Sequence, residues 1–160
     1  MASLSDHLIT VLVRVGTGVR RMVGVRGAQA IFRQVGRDMS KELVYDSRSP
    51  NVSPEEAKRV AAQAMLGLNV FQDVQFMGGQ ARLCHCMLGE ILERMEETPG
   101  EHPLCFLGLG FIEGTVQNLS GQRIHARLEH RDSAQGVCIE PWDEEIGVKA
   151  NWVGIPELVS

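Results

Sequence analysis

The sequence predicts an α+β domain in which helices pack on an antiparallel sheet of about four strands. Three observations carry this. Apolar residues recur at helical spacing in three separate stretches, the clearest being 27–45, 53–68 and 103–119. Stretches of strict alternation come in pairs joined by short turns, which makes neighbouring strands antiparallel. Finally, the glycine-rich stretch at 108–114 leaves room for at most one βαβ unit of about 30 residues before the chain ends, too little for a doubly wound sheet.

In chain order, Ser5 is placed to cap a first helix that ends near Gly16 or Gly18, and Gly24 and Gly27 mark a break. The second helix, from Gly27 to Tyr45, would bury Ala30, Ile31, Val35, Met39 and Leu43 and turn Arg33, Arg37, Asp38, Lys41 and Glu42 to water. Gly36 in its middle costs about 1 kcal/mol relative to alanine, so a close neighbour is expected there. Residues 46–52 read as a loop. Ser53-Pro54-Glu55-Glu56 then starts a helix: a capping hydroxyl, a proline where no N–H is needed, and carboxylates at the positive end of the dipole. Its stripe is Ala57, Val60, Ala61, Ala64, Met65 and Leu68.

Val70 to Phe76 alternates, Gly78-Gly79 turns, and Ala81 to Met87 alternates back. A short helix spans Leu88 to Met95. Pro103 opens the helix that ends at Leu119, with Leu104, Leu107, Phe111, Ile112, Val116 and Leu119 at helical spacing and Gly121 as a left-handed stop. Gly110 and Gly114, four apart, give this helix one face of bare backbone. Such a face suits close packing on the sheet or contact with a flat ligand. A strand from Gln122 to His130 and a return strand at Val137 and Ile139 follow, which directs Cys138 and Glu140 to the same side as Glu129.

Gly108, Gly110 and Gly114 also imitate a dinucleotide fingerprint, with Glu129 near the position of a ribose-binding carboxylate. Glu113 stands where the third glycine belongs, and it would force a bulky anion into a close helix-to-strand contact.

The run from Cys105 through the glycine-containing helix, Glu129, an acidic turn, Gly136 and Cys138 resembles the C-terminal half of the 4-vinyl-reductase domain family. The stretch GAQAIFRQVGRDMSKEL is similar to that family's first conserved helix. The family includes small hydrocarbon-binding proteins, sensor domains of phenol- and xylene-responsive regulators, and proteins linked to bacteriochlorophyll synthesis; its fold is similar to that of transport-particle subunits and is commonly dimeric. The resemblance implies a homodimer. It also implies a zinc site whose ligands fall at Cys105, Glu129 and Cys138, with Asp132 where the family has a further cysteine. A carboxylate is an acceptable zinc ligand, and His125 and His130 are neighbouring alternatives. Two small core thiols beside a solvated strand is the other reading.

With 160 residues, one domain is expected over 1–142, with 143–160 as a C-terminal tail whose two-tryptophan neighbourhood, Trp142 and Trp152, suits a protein contact. A net charge of −4 and the absence of a basic run argue against nucleic acid. The apolar run 8–13 is interrupted by Arg14 and is too short for a membrane span. Four cysteines without a disulfide framework suggest the cytoplasm. No nucleophile elbow, phosphate loop, zincin pair or C-x-x-C motif occurs, and no hydride-donor site is evident. The favoured function is non-enzymatic binding of a hydrophobic or aromatic molecule, a tetrapyrrole or its precursor among the candidates, between the 103–119 helix and the sheet. Phe76, His85, Phe106 and Leu109 are the candidate pocket residues, His85 as polar anchor. The alternative is an enzyme or assembly factor in bacteriochlorophyll or aromatic metabolism.

Overall fold

The computed structural model describes residues 3–43, 52–77, 80–84, 86–127, 130–132 and 137–144; side chains at 76–77, 80–81, 130–132 and 137–144 are outside the description. The elements run α1 (Leu4–Leu43), α2 (Pro54–Gly67), β1 (Asp73–Met77), β2 (Gln80–Cys84), α3 (Met87–Arg94), α4 (Pro103–Ser120), β3 (Ile124–Ala126), β4 (His130–Asp132) and β5 (Val137–Glu144).

The two expected N-terminal helices are one forty-residue element, kinked at Gly24, whose φ of 81° only glycine adopts readily. Helix continues through Gly16 and Gly18 because Gly16 lies against another part of the chain: a Cβ there would come within 2.6 Å of the His102 ring. The face buried by α1 is also not the expected one. Ala28, Phe32, Gly36 and Ser40 are inside, whereas Ile31, Val35 and Leu43 are exposed. Where the two helix backbones touch, at Gly36, only a residue without a side chain fits, and that sets which face of α1 turns inward.

The second backbone is that of α4. A Cβ on Gly36 would overlap the carbonyl oxygen of Leu107 and come within 2.8 Å of the Phe111 nitrogen. One on Gly110 would overlap the Arg33 carbonyl, and one on Gly114 would lie 2.9 Å from the Arg37 Cα. The bare glycine face of α4 therefore receives a helix; neither the sheet nor a flat ligand occupies it.

Helix α4 forms as its sequence predicts. Gly121 closes it in the left-handed region at φ 70°, and its N–H bonds to the Gln117 carbonyl. Helix α2 starts at Ser53, whose hydroxyl accepts the Glu56 N–H at 3.2 Å. Strand β2 stops at Cys84, three residues short of expectation, because Cys86 takes the position that precedes α3 and Met87 enters its first turn.

All strand pairings are antiparallel, in the order β1-β2-β5-β3, with β4 also on β5. The strand expected from Gln122 to His130 is thus two short strands lying end to end along one edge of β5, with β2 on the other edge. Ala126 pairs with Trp142 and His130 with Ile139, so the register against β5 shifts by one residue between β3 and β4. Strand β5 runs two residues into the segment assigned to a tail. Residues 104–107 are helical and the strand pairings are antiparallel, so the dinucleotide reading falls.

The core has two parts. Leu109, Phe111, Ile112, Val116 and Leu119 of α4 pack with Ala57 and Met65 of α2 and with Val74, Leu83, Ile124 and Ala126 of the sheet. Val13 and Phe32 of α1 meet Ile91 and Leu92 of α3 and Leu104 of α4.

Candidate functional site

Helix α4 carries one charged residue among its eighteen, and the structure buries it: Glu113 is 3% exposed. Burial of a carboxylate requires paired charge and hydrogen bonds. Both come from α1 and β3. Arg37 donates to Oε2 through Nε at 3.0 Å and Nη2 at 2.7 Å, Arg33 donates to Oε1 through Nη1, and the Ala126 N–H reaches Oε1 at 2.9 Å. Arg33 Nη1 also meets the Ala126 carbonyl at 3.0 Å and lies 3.4 Å from His125 Nδ1. One carboxylate thus joins the long helix, the central helix and the sheet. Arg33 and Arg37, assigned to water by the helical periodicity, turn inward because Glu113 lies across the glycine crossing from them.

The same cluster holds an aromatic ring. The Arg33 guanidinium sits 5.5 Å from the centroid of Phe106, a favourable cation–π distance. Phe106 is half-buried and packs against both parts of the core. Leu109, one turn further along, is buried among the residues facing the sheet. Between them Gly108 is half-buried, with no heavy atom within 4 Å of the place a Cβ would take. Phe106 and Leu109, three residues apart, lie on one side of α4, Leu109 inside the core and Phe106 half-buried, whereas the open space at Gly108 lies on another side of the helix. Phe76 is the Cα partner of Ala81 in the β1–β2 hairpin, its side chain outside the description, and His85 lies outside the described residues.

Of the residues that the family resemblance would give zinc, Cys105 has a described side chain. It is half-buried, and its Sγ accepts the Gly100 N–H at 3.3 Å. Cys138 is in register with Leu83 and Arg131, and Asp132 with Val137, so Cys138 and Asp132 fall on successive rungs; Glu129 lies outside the described residues. Among the described residues no group of three or more histidine, cysteine, aspartate or glutamate side chains is gathered.

A second polar cluster locks the start of α4. His102 is wholly buried and occupies the N-cap position, its Nδ1 accepting the Leu104 N–H at 3.1 Å. That leaves the proton on Nε2, which lies 3.2 Å from the Thr17 hydroxyl and bonds to the Val13 backbone. Thr17 donates to Glu97 at 2.9 Å, and Arg20 pairs with Glu97 at 3.0 Å. Burial holds the His102 pKa below its ordinary 6.5, against the pull of Glu97. Burial pushes the Glu97 carboxyl up, but hydrogen bonds from Thr17 and Arg20 and the Arg20 charge outweigh it, and its pKa lies below 4.5.

Both groups bind protons less tightly folded than unfolded, so stability falls on acidification: first below about pH 6.5 as unfolded His102 protonates, then below about 4.5 through Glu97. His102→Asn, which keeps a capping acceptor, is expected to flatten the upper part of a melting-temperature profile and leave the lower. An unchanged profile would contradict the buried neutral imidazole.

These elements define a mainly helical α+β domain in which a central helix lies between a long kinked helix and an antiparallel sheet. Among solved structures, the chain is similar to that titled "crystal structure of the phenol-responsive sensory domain of the transcription activator PoxR with Phenol", at a TM-score of 0.65 and 15% identity, over 92% of this chain and 80% of that one. No family model and no curated protein matches the sequence. The sequence resemblance to a family that includes phenol-responsive sensor domains is supported at the level of fold.

Sequence reasoning missed Glu113, His102 and the inward arginines as structural residues. Two signals were present: the isolated charge in α4, and the i, i+4 arginine pair on α1.

Proposed function

We propose that this protein binds an aromatic or hydrophobic small molecule without chemically transforming it, as a sensor or carrier, on the α4 wall that bears Phe106 and Leu109. The fold likeness to a phenol-responsive sensory domain carries the reading. The wall is chemically suited to it. Phe106 offers a half-buried ring with Arg33 over it, and Leu109 backs it with apolar core. Phe76 and His85 of the β1–β2 region complete the proposed pocket, His85 as hydrogen-bond partner for a ligand hydroxyl. Tetrapyrroles are the larger candidate class and phenols the smaller. No helix among the described residues is long and apolar enough to cross a membrane, which fits a protein that works in the cytoplasm.

The test is a panel of phenols, alkylbenzenes and porphyrins, read by melting shift and native mass spectrometry. Stabilisation by at least one class with one molecule per chain is expected, since a ligand at 100 times its Kd adds about 2.7 kcal/mol. No shift with any class would end the proposal. Zinc at Cys105, Glu129, Asp132 and Cys138 is a separate proposal resting on the family resemblance. It requires near-stoichiometric metal by elemental analysis, reduced in Cys138→Ser.

A further inference from the structure

Helix α2 buries Ala57, Lys58, Ala61 and Met65, so a lysine stands in an otherwise apolar face, and it is 7% exposed. Lysine is rarely found so deep unless its charge has work to do there. Helix α4 carries a second polar group out of place. Thr115 is wholly buried, and among the described residues its hydroxyl has no hydrogen-bond partner, not even the Phe111 carbonyl one turn back that a helical threonine ordinarily uses. Such a hydroxyl has lost its bonds to water without replacement.

The two groups enter the same interface. The Val52 N–H bonds to the Leu119 carbonyl at 3.2 Å, so α2 begins beside the end of α4. Its later residue Met65 shares a core with Leu109, so α2 runs back along that helix. Thr115 is one turn before Leu119 on the same side, about 6 Å back from the bond, and Lys58 lies about 9 Å along α2 from it. Thr115 is also about 160° round α4 from Glu113, away from α1 and β3. About two turns earlier on this side, no heavy atom lies within 4 Å of the place a Cβ on Gly108 would take. An ammonium and a hydroxyl therefore stand at one level between two helices that otherwise meet through apolar side chains, with open room further along.

We propose that Lys58 and Thr115 bind the carboxylate of a small apolar acid, aromatic or short-chain aliphatic, held between α2 and α4. The donor set fits one negative charge. An ammonium has three N–H donors, so Lys58 can hold a ligand oxygen beside a protein partner, and the Thr115 hydroxyl donates to the second oxygen. A phosphate group, nearly doubly charged, calls for more than one cation, and a neutral alcohol gains nothing from the charge on Lys58. Phe111, Ile112, Ala61 and Met65 supply apolar surface for the body of the acid. The Phe106 ring is about 180° round α4 from Thr115, so this site is separate from the wall proposed above.

The experiment is isothermal titration of the full chain with benzoate and octanoate, each beside the neutral alcohol of the same skeleton, in the parent, Lys58→Met and Thr115→Val. At least one carboxylate is expected to bind as one molecule per chain, at least about tenfold more tightly than its alcohol, and Lys58→Met should abolish that preference. Thr115→Val should weaken carboxylate binding while raising the melting temperature of the free chain by about 2–4 °C, since the same shape no longer buries a bare hydroxyl. A threonine that served only the fold would lower it instead. Where Lys58→Met fails to fold, the parent's choice of acid over alcohol and the opposed shifts in Thr115→Val still decide the matter. No carboxylate binding, equal binding of acid and alcohol, or a lowered melting temperature in Thr115→Val would overturn the proposal. So would carboxylate binding that is abolished by Phe106→Ala, which would put the acid on the opposite wall.

Discussion

Glu113→Ala is expected to destabilise the protein by about 3–5 kcal/mol, the cost of removing one partner from a buried ion pair. The removed carboxylate leaves Arg33 and Arg37, one turn apart on α1, without the counter-charge that α4 supplied to both, and it strips the Ala126 N–H of its acceptor. Arg37 is 39% exposed and can turn to water, whereas Arg33 at 14% cannot do so without leaving the Phe106 ring. The loss therefore falls mainly on Arg33 and on β3. Glu113→Gln, which keeps an acceptor for Ala126 but no charge, should recover a part. Arg37→Ala in the Glu113→Ala background should cost less than the sum of the two single changes. Urea unfolding followed by circular dichroism reads the parent and the four variants. A loss under about 1 kcal/mol in Glu113→Ala would show that the cluster does not hold the helices and sheet together.

Gly110→Ala is expected to cost toward the upper end of the roughly 1–3 kcal/mol typical of overpacking, although alanine favours helix by about 1 kcal/mol. The atom its Cβ would overlap is the Arg33 carbonyl, part of a helix backbone that cannot rotate aside as a side chain can. Relief requires α1 and α4 to separate, which also lengthens the Arg33 and Arg37 bonds to Glu113. Gly108→Ala is the internal control. It lies in the same helix with nothing within 4 Å, so it should stabilise by about 0.5–1 kcal/mol. Opposite signs at positions two residues apart would tie the effect to the crossing. A gain at both would mean that the helices are not in backbone contact.

Much of this architecture was legible from local chemistry. Ser53 and Gly121 bound their helices as the residue types demand, Pro103 opens α4, and Val74 and Leu83 pair on the buried face of a hairpin. These features depend on neighbours a few residues away. What was not legible depends on residues about 80 apart. Helical periodicity put Ile31, Val35 and Leu43 of α1 inside, because large apolar side chains are ordinarily the ones buried. The glycines of two helices instead made a backbone contact more favourable, and that turned the apolar row outward. The same rotation brought Arg33 and Arg37 onto Glu113. In the candidate site, Phe106 and Leu109 were readable as the apolar side of one helix. Arg33 beside Phe106 was not, because nothing in either stretch states that they meet. The division of the third strand also escaped notice, since its one-residue offset is a property of pairing with β5.

The two variants bear on function through one chain of contacts: Glu113 holds Arg33, and Arg33 lies over Phe106. A ligand seated there would feel both substitutions even where the protein still folds. The most direct measurement is isothermal titration of the purified chain with phenol and its methylated relatives, repeated on Phe106→Ala. Saturable binding of one molecule per chain, weakened at least about tenfold by the loss of the ring, is the result expected from an aromatic contact worth upwards of about 1.4 kcal/mol. Absence of saturable heat with every phenol, or binding equally tight in Phe106→Ala, would contradict an aromatic pocket on this helix.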